Sequence, residues 1–488
     1  MPDLNCIDHI VVLMLENRSF DNVFGGFGPE VEGLNGQQVP IDPLNPASDT
    51  LSVWQTCPST PDPLRIPDPD PGENFTDINQ QIFGMSEVVG SPPATMNGFV
   101  ANYAIHGTVG GQRNILHYFS QTEVPVLFKL AKAFAICDQW FASAPCQTWP
   151  NRFFVHTGTA GGHINNRPVS PLYPMRTVYG QLAATQPPLD NPWKIYFHDF
   201  PQALILSELW PHASENFSHY EQFRNDAASG NLPSYTFIEP RYFPDLLPPN
   251  DAHPPHDVTL AEQLIADVYN TVRSSPHWPK TLLVITFDEH GGCYDHVPPP
   301  AAVPPDVPPF APFGFDRHGV RVPAVLISPW ITPGTVLRSG DGMPFDHTSI
   351  LKTLTNRFNL SPLTPRVAAA PDLSAVLNLA AANNNGPLDG VTPGQYTKTD
   401  GALQDALNAP LNDLQQALHE GAGHLPDLRG TFGLGQRARM VAAHVTMLLQ
   451  RRQQIADGNA VDPLSPPATT AEDSLPFIQQ KLRGILAI

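Results

Sequence analysis

Residues 281–297 read TLLVITFDEHGGCYDHV. An apolar run of strand length passes without a polar break into Asp288, Glu289 and His290, and then into two glycines. A strand that is apolar on both faces belongs inside a parallel sheet covered by helices on both sides. Two further segments have the same character: IDHIVVLML at 7–15, which ends at Glu16, and VRVPAVLISPWI at 320–331. Shorter strands are expected at 194–200 (KIYFHDF) and 234–239 (SYTFIE). Between them the apolar spacing becomes helical, at 124–136, 257–275 and 345–358, with Asp257 placed to cap the second of these. Residues 148–160 begin TWPNRFF, with Pro150 where a first helical turn tolerates it. Strands alternating with helices predict an α/β fold with a two-sided, mainly parallel sheet, whose ligands gather at the carboxyl ends of the strands.

The long connections, 29–72 and 298–312, are rich in proline, of which the chain has 56 in 488 residues. That is about twice the usual ~5% and predicts stiff, ordered loops. After residue 370 the texture becomes rich in Ala, Asn and Pro, which divides the chain into a main domain, 1–370, and a linker with a helical extension, 371–488. Helices are expected there at 401–420 and 430–457; the second is basic and is read as packed on the domain with a solvated arginine face, with a partner or membrane-surface helix as the alternative.

The formal net charge of −19 argues against nucleic acid as a partner and against attraction to an anionic membrane by the overall field. No apolar run approaches the ~20 residues of a membrane span. The run IVVLML at 10–15 lacks a basic flank and a cleavage site, so a cytoplasmic address is expected, or a secreted or periplasmic one if a leader has been removed. Five widely spaced cysteines form neither a disulfide framework nor a zinc pattern, and are expected to be buried free thiols.

Four distant stretches place polar groups at the ends of elements: LENRSFDN (15–22), CQTWPNRFF (146–154), NDAHPPHDV (250–258) and FDEHGGCYDHV (287–297). Carboxylates with a carboxamide suit a hard or borderline divalent cation. A hydroxyl at a helix N-terminus, as at Thr148, sits in positive potential, and a metal contact would make it a nucleophile. Taken singly these signals have plainer readings: Thr148 as a helix cap, Glu16 as a turn residue, His253 as a structural loop residue.

In this order, LENRSFDN, TWPNRFF, HPPHDV, FDEHGGCYDHV and RVPAVLISPWI resemble the phosphoesterase family of bacterial phospholipases C and acid phosphatases, and are especially similar to plant non-specific phospholipases C. The resemblance covers roughly residues 7–360. It implies an alkaline-phosphatase-like α/β/α fold and one divalent metal ion, with Ca, Mg, Mn and Zn all open. It further implies Thr148 as the nucleophile, Asn17, Asp288 and Glu289 (with Thr148) as metal ligands, and Glu16 as an active-site carboxylate. His253, and less directly His198, would face the phosphoryl group, and one of them would protonate the leaving alkoxide. His347 corresponds to a polar helix start and would support the site or its substrate. One departure stands out: similar plant motifs read DPGHSF where this chain reads DPGENF, so Glu73 stands where they carry histidine. Either the role of that histidine is dispensable, or Glu73 serves a different ligand, a metal or a substrate head group.

The expected activity is metal-dependent hydrolysis of phospholipids at the glycerol–phosphate bond through a phospho-threonine, with at most peripheral contact to a membrane. The alternatives are a phosphatase or phosphodiesterase acting on soluble esters, and a binding or scaffold protein on the same fold. Gly291 and Gly292 are expected to let the backbone turn close to the metal.

Overall fold

The computed structural model describes residues 3–107, 109–169, 172–307, 313–387, 390–397, 401–430 and 433–486. Part of the proline-rich loop expected at 298–312 and the start of the helix expected at 430–457 lie outside them.

The central sheet has eight strands. In chain order they are β1 (His9–Leu15), β2 (Ala135–Cys137), β3 (Trp193–Phe197), β4 (Phe217–His219), β5 (Tyr235–Glu239), β6 (Thr281–Phe287), β7 (Ala324–Ile327) and β8 (Thr335–Val336). Their spatial order is β8-β2-β7-β6-β1-β5-β3-β4. β1 lies parallel between β6 and β5, with Leu15 opposite Phe287, and β5 is parallel to β3, with Glu239 opposite Phe197. The carboxyl ends of these four central strands therefore meet at one edge. β1 and β6 are buried along almost their whole length, as their unbroken apolar sequences require.

β7 departs from the expected arrangement. It runs antiparallel to both β6 and β2. The chain between β6 and β7 forms no helix among its described residues, and without a crossover helix the strand returns in the opposite direction. β2 is a second departure: the expected helix 124–136 stops at Ala133, and Ala135–Cys137 joins the sheet.

The helix Val258–Ser274 begins as expected, with the Asp257 carboxylate accepting from the Thr259 N–H. The C-terminal region forms three main helices, Asp413–Gly423, Leu434–Ala456 and Ala471–Leu486. Leu414, Leu418, Ile478 and Ile485 are buried in the same continuous apolar core as β1 and β6. The extension is thus built onto the sheet domain, and its core is shared. A smaller cluster, with Ile78, Ile82, Phe99, Tyr103 and Tyr294, seats the helices Phe75–Phe83 and Phe99–His106 beside the sheet edge and so anchors the loop carrying Glu73. Among the described residues, no helix is long and apolar enough to cross a membrane. Cys137, Cys146 and Cys293 are buried free thiols as expected, whereas Cys6 is half-buried and Cys57 is exposed.

Candidate active site

Every strand that ends at the common edge delivers a polar residue there. β1 runs into Glu16 and Asn17, β6 into Asp288 and Glu289, β5 ends on Glu239, and β3 runs into His198. Glu16, Asn17, Glu239, Asp288 and Glu289 are all fully buried. Buried carboxylates in such number are tolerated only with partners.

One partner is Arg152. It projects from the helix Thr148–Thr157, one turn after Thr148, and is itself buried. Its guanidinium lies 2.5 Å from Glu16, 3.6 Å from Asp288 and 3.6 Å from Glu239. Burial opposes the charge on Arg152, but Glu16, Tyr242, Asp288 and Glu239 together outweigh it and hold the group protonated. Gln202 Nε2 donates to Glu16 at 2.9 Å. The remaining Glu16 oxygen accepts the Thr148 hydroxyl at 3.2 Å. Burial pushes the Glu16 carboxyl well up, and Arg152 pulls it back. Thr148 is the first residue of its helix, and Gln147 takes the cap position. The Thr148 hydroxyl therefore sits at the positive end of a helix whose ten residues are all buried.

At this edge several buried acceptor atoms have no hydrogen-bond partner among the described residues: Asn17 Oδ1, Asp288 Oδ2, Glu289 Oε1 and His253 Nε2. The other atoms of these groups are committed. The Asn17 N–H donates to Asp288 Oδ1 at 3.1 Å, and the Asn17 amide donates to Glu73. Glu289 Oε2 accepts from the Gly291 N–H at 2.9 Å. A carboxamide oxygen and two carboxylate oxygens without hydrogen bonds at a buried edge, one of them the Asp288 Oδ2 that faces Arg152 at 3.6 Å, are a donor set whose chemistry fits a hard or borderline divalent cation.

The backbone is shaped to bring these groups together. Asn17 has a left-handed φ of 58°, a strained value for a residue with a side chain. A Cβ on Gly291 would stand 2.3 Å from the Asn17 carbonyl oxygen, and one on Gly292 would stand 2.7 Å from that of Gly72. The two glycines therefore let the turn after β6 touch the loops that carry Asn17 and Glu73.

The two histidines meet different surroundings. His253 is buried, and its Nδ1 is 2.7 Å from the Pro254 carbonyl, an acceptor only, so Nδ1 carries the proton and Nε2 a lone pair. Burial lowers its pKa to about 4. His198 Nδ1 lies 3.0 Å from the Glu239 carbonyl, and its ring stacks on Tyr220 at 4.4 Å. Its pKa too is lowered by burial to about 4. Among the described residues, His198 makes no hydrogen bond to Thr148, Glu16 or Asp288. In the resting tautomers neither ring offers an acidic proton, which counts against the expected role as donor to the leaving group.

His347 has both nitrogens engaged. Nε2 donates to the Asp288 carbonyl at 2.6 Å and Nδ1 accepts from Trp140 at 3.3 Å. This is a positioning contact that fixes the end of β6 and leaves no nitrogen for substrate. Glu73 is buried, accepts from Asn17, and stands 3.9 Å from His253 Nε2. Burial pushes its carboxyl well up, and Glu289 and Asp70 push it further.

Sequence reasoning missed Arg152, Gln202 and Arg18. The first was legible in principle, since it lies four residues after Thr148 in TWPNR and so shares its helix face. Arg18 is buried, donates to the carbonyls of Ala252 at 2.8 Å and Ile66 at 2.6 Å, and so ties the loops before His253 and Glu73 to β1. A separate group, Asp21, Asp295 and His296, brings its ligand atoms within 4.8 Å of one another. The buried Arg321 guanidinium lies 3.0 Å from each of these two carboxylates, so that group is an ion cluster with its cation already supplied by the protein.

The model of the phosphoesterase family matches residues 7–361. The chain belongs to the phosphoesterase family. It is a hydrolase acting on phosphoester bonds. Among curated relatives, non-specific phospholipase C3 of Arabidopsis thaliana is 38% identical over 402 residues, covering 78% of this chain and 75% of the relative. Non-specific phospholipase C1 of the same plant is 40% identical over 387 residues, covering 75% and 69%. Phospholipase C B of Mycobacterium tuberculosis is 28% identical over 432 residues, covering 78% and 79%.

Proposed function

We propose that this phosphoesterase hydrolyses phospholipids at the glycerol–phosphate bond, in the manner of a phospholipase C, with Thr148 as nucleophile. The observation that carries the reading is the Thr148 hydroxyl at a buried helix N-terminus, bonded to Glu16, whose partner Arg152 also faces Asp288, which in turn accepts from the Asn17 N–H. The names of the relatives in plants and in M. tuberculosis support the lipid substrate.

Asn17 Oδ1, Asp288 Oδ2 and Glu289 Oε1 would hold the divalent ion, which when bound lowers the pKa of a nearby hydroxyl and offsets charge on phosphoryl oxygens. The chain supplies the rest. Thr148 Oγ1 forms a bond to phosphorus while its proton passes to Glu16 Oε2. Arg152 holds the other Glu16 oxygen and balances the buried charge. The bond from phosphorus to the glycerol oxygen breaks, and diacylglycerol leaves after taking a proton from water. The phosphoryl group, still carrying its head group, remains on Thr148. Water then attacks phosphorus and loses its proton to the hydroxide left by the first step; the bond from phosphorus to Thr148 Oγ1 breaks, Oγ1 takes back the proton held on Glu16, and the phosphorylated head group is released. His347 keeps Asp288 in register throughout. The lipid would be met peripherally, at a membrane surface.

Product identification on phosphatidylcholine vesicles tests this reading. Diacylglycerol and phosphocholine are expected. Phosphatidic acid with free choline, or hydrolysis of soluble aryl phosphates alone, would replace it with a different phosphoesterase activity.

A further inference from the structure

Glu73 and His253 face one another in a way that leaves the His253 Nε2 unpartnered among the described residues, while Glu73 Oε2 accepts only from the Asn17 amide. His253 Nδ1 is committed to the Pro254 carbonyl at 2.7 Å, so Nε2 carries a lone pair. That nitrogen is fully buried and has no hydrogen-bond partner among the described residues. Opposite it, at 3.9 Å, stands Glu73 Oε2. A direct hydrogen bond would need ~2.7–3.2 Å. Two buried acceptors at this spacing repel unless something positive lies between them. Metal bonds of ~2.0–2.2 Å to nitrogen and oxygen place two ligands of one ion roughly 3–4.3 Å apart, depending on the angle between them. The observed separation falls in that range.

Charge points the same way. Glu16, Asp70, Glu73, Asp288 and Glu289 gather here against the guanidinium groups of Arg18 and Arg152. One dication would leave this set net negative, an unfavourable host for an anionic phosphodiester. With Glu239, which Arg152 also faces, counted in, a second dication brings the set to neutrality. Asn17 links the two positions, since its amide N–H is held by Glu73 while its Oδ1 is bare. Where similar motifs carry histidine, the carboxylate of this chain adds a negative charge and a metal-binding oxygen at once.

We infer that Glu73 and His253 form a second divalent-cation site, beside the one assigned to Asn17, Asp288 and Glu289. An imidazole nitrogen paired with a carboxylate oxygen selects a borderline ion such as Zn²⁺ or Mn²⁺ over Ca²⁺. The inference rests on the reading of Asn17, Asp288 and Glu289 as the first metal position.

The test is metal stoichiometry of the full chain, stripped with chelator and reloaded with Zn²⁺ or Mn²⁺, by calorimetric titration and elemental analysis. The wild-type chain should bind two ions. Glu73→Gln should bind one with unchanged affinity and lose the second by at least ~100-fold, more than the loss typical of an outer partner. His253→Ala should do the same, and in the Co²⁺-loaded protein it should remove the visible absorption change of the second equivalent only. One ion in the wild type, or two in both variants, overturns the second site. No ion at all overturns the first position with it. The products formed from phosphatidylcholine report separately on the substrate reading. If the variants do not fold, the wild-type count alone decides.

Discussion

The Thr148 hydroxyl donates to Glu16 across 3.2 Å, although 132 residues separate the two. The contact joins the end of β1 to the first residue of a buried helix. Thr148→Ala removes the attacking oxygen and puts a good helix former at an early helical position. It should lower kcat by ~10³-fold or more and leave the melting temperature close to that of the wild type. Thr148→Ser keeps the hydroxyl and should retain measurable turnover. Near-wild-type rates in the alanine variant would remove Thr148 from the chemistry.

Arg152 supplies the cation at the centre of three buried carboxylates. Arg152→Leu leaves them without it and should cost about 3–5 kcal/mol, read as a fall in the denaturant midpoint. An unchanged midpoint would mean that these carboxylates are neutral or otherwise partnered in the folded chain.

Asn17→Ala and Asp288→Ala each delete one of the bare oxygens. Metal content and turnover should fall together in both, since few ligands are available to compensate. A variant that keeps its full metal content by elemental analysis acquits that residue as a ligand.

What could be read in advance followed from patterns that burial enforces. The limits of β6 and the Asp257 cap matched because an unbroken apolar run and a capping carboxylate are both local signals. β2 was hidden because Ala135–Cys137 is apolar enough to extend the preceding helix, and three residues carry no period. The reversed direction of β7 leaves no mark in composition. The shared core of the C-terminal helices depends on contacts such as that of Leu418 with the rest of the cluster, which no local rule foresees. Within the site, the residue types were legible but the roles of the histidines were not. The tautomer of His253 is set by the carbonyl of Pro254, and the task of His347 by that of Asp288.

Glu262 gives the stability a pH dependence away from the site. Its carboxylate accepts the N–H groups of Val126 and Leu127, and burial raises its pKa to about 8. A folded pKa above the unfolded ~4.3 means that the native chain binds the extra proton between these values. The contribution is therefore full below about pH 4 and is lost as pH rises through about 8. Glu262→Gln cannot titrate. Its melting temperature relative to wild type should rise between pH 5 and pH 9; a constant difference would contradict the shift.

The two-step route through Thr148 has a stereochemical signature. Each displacement at phosphorus inverts configuration, so transfer to Thr148 followed by attack of water gives net retention. A phospholipid made chiral at phosphorus with sulfur and an oxygen isotope, hydrolysed in isotopically labelled water, reports the outcome by phosphorus NMR of the released head group. Retention is the predicted result. Inversion would show a single direct attack by water and would contradict Thr148 as the nucleophile.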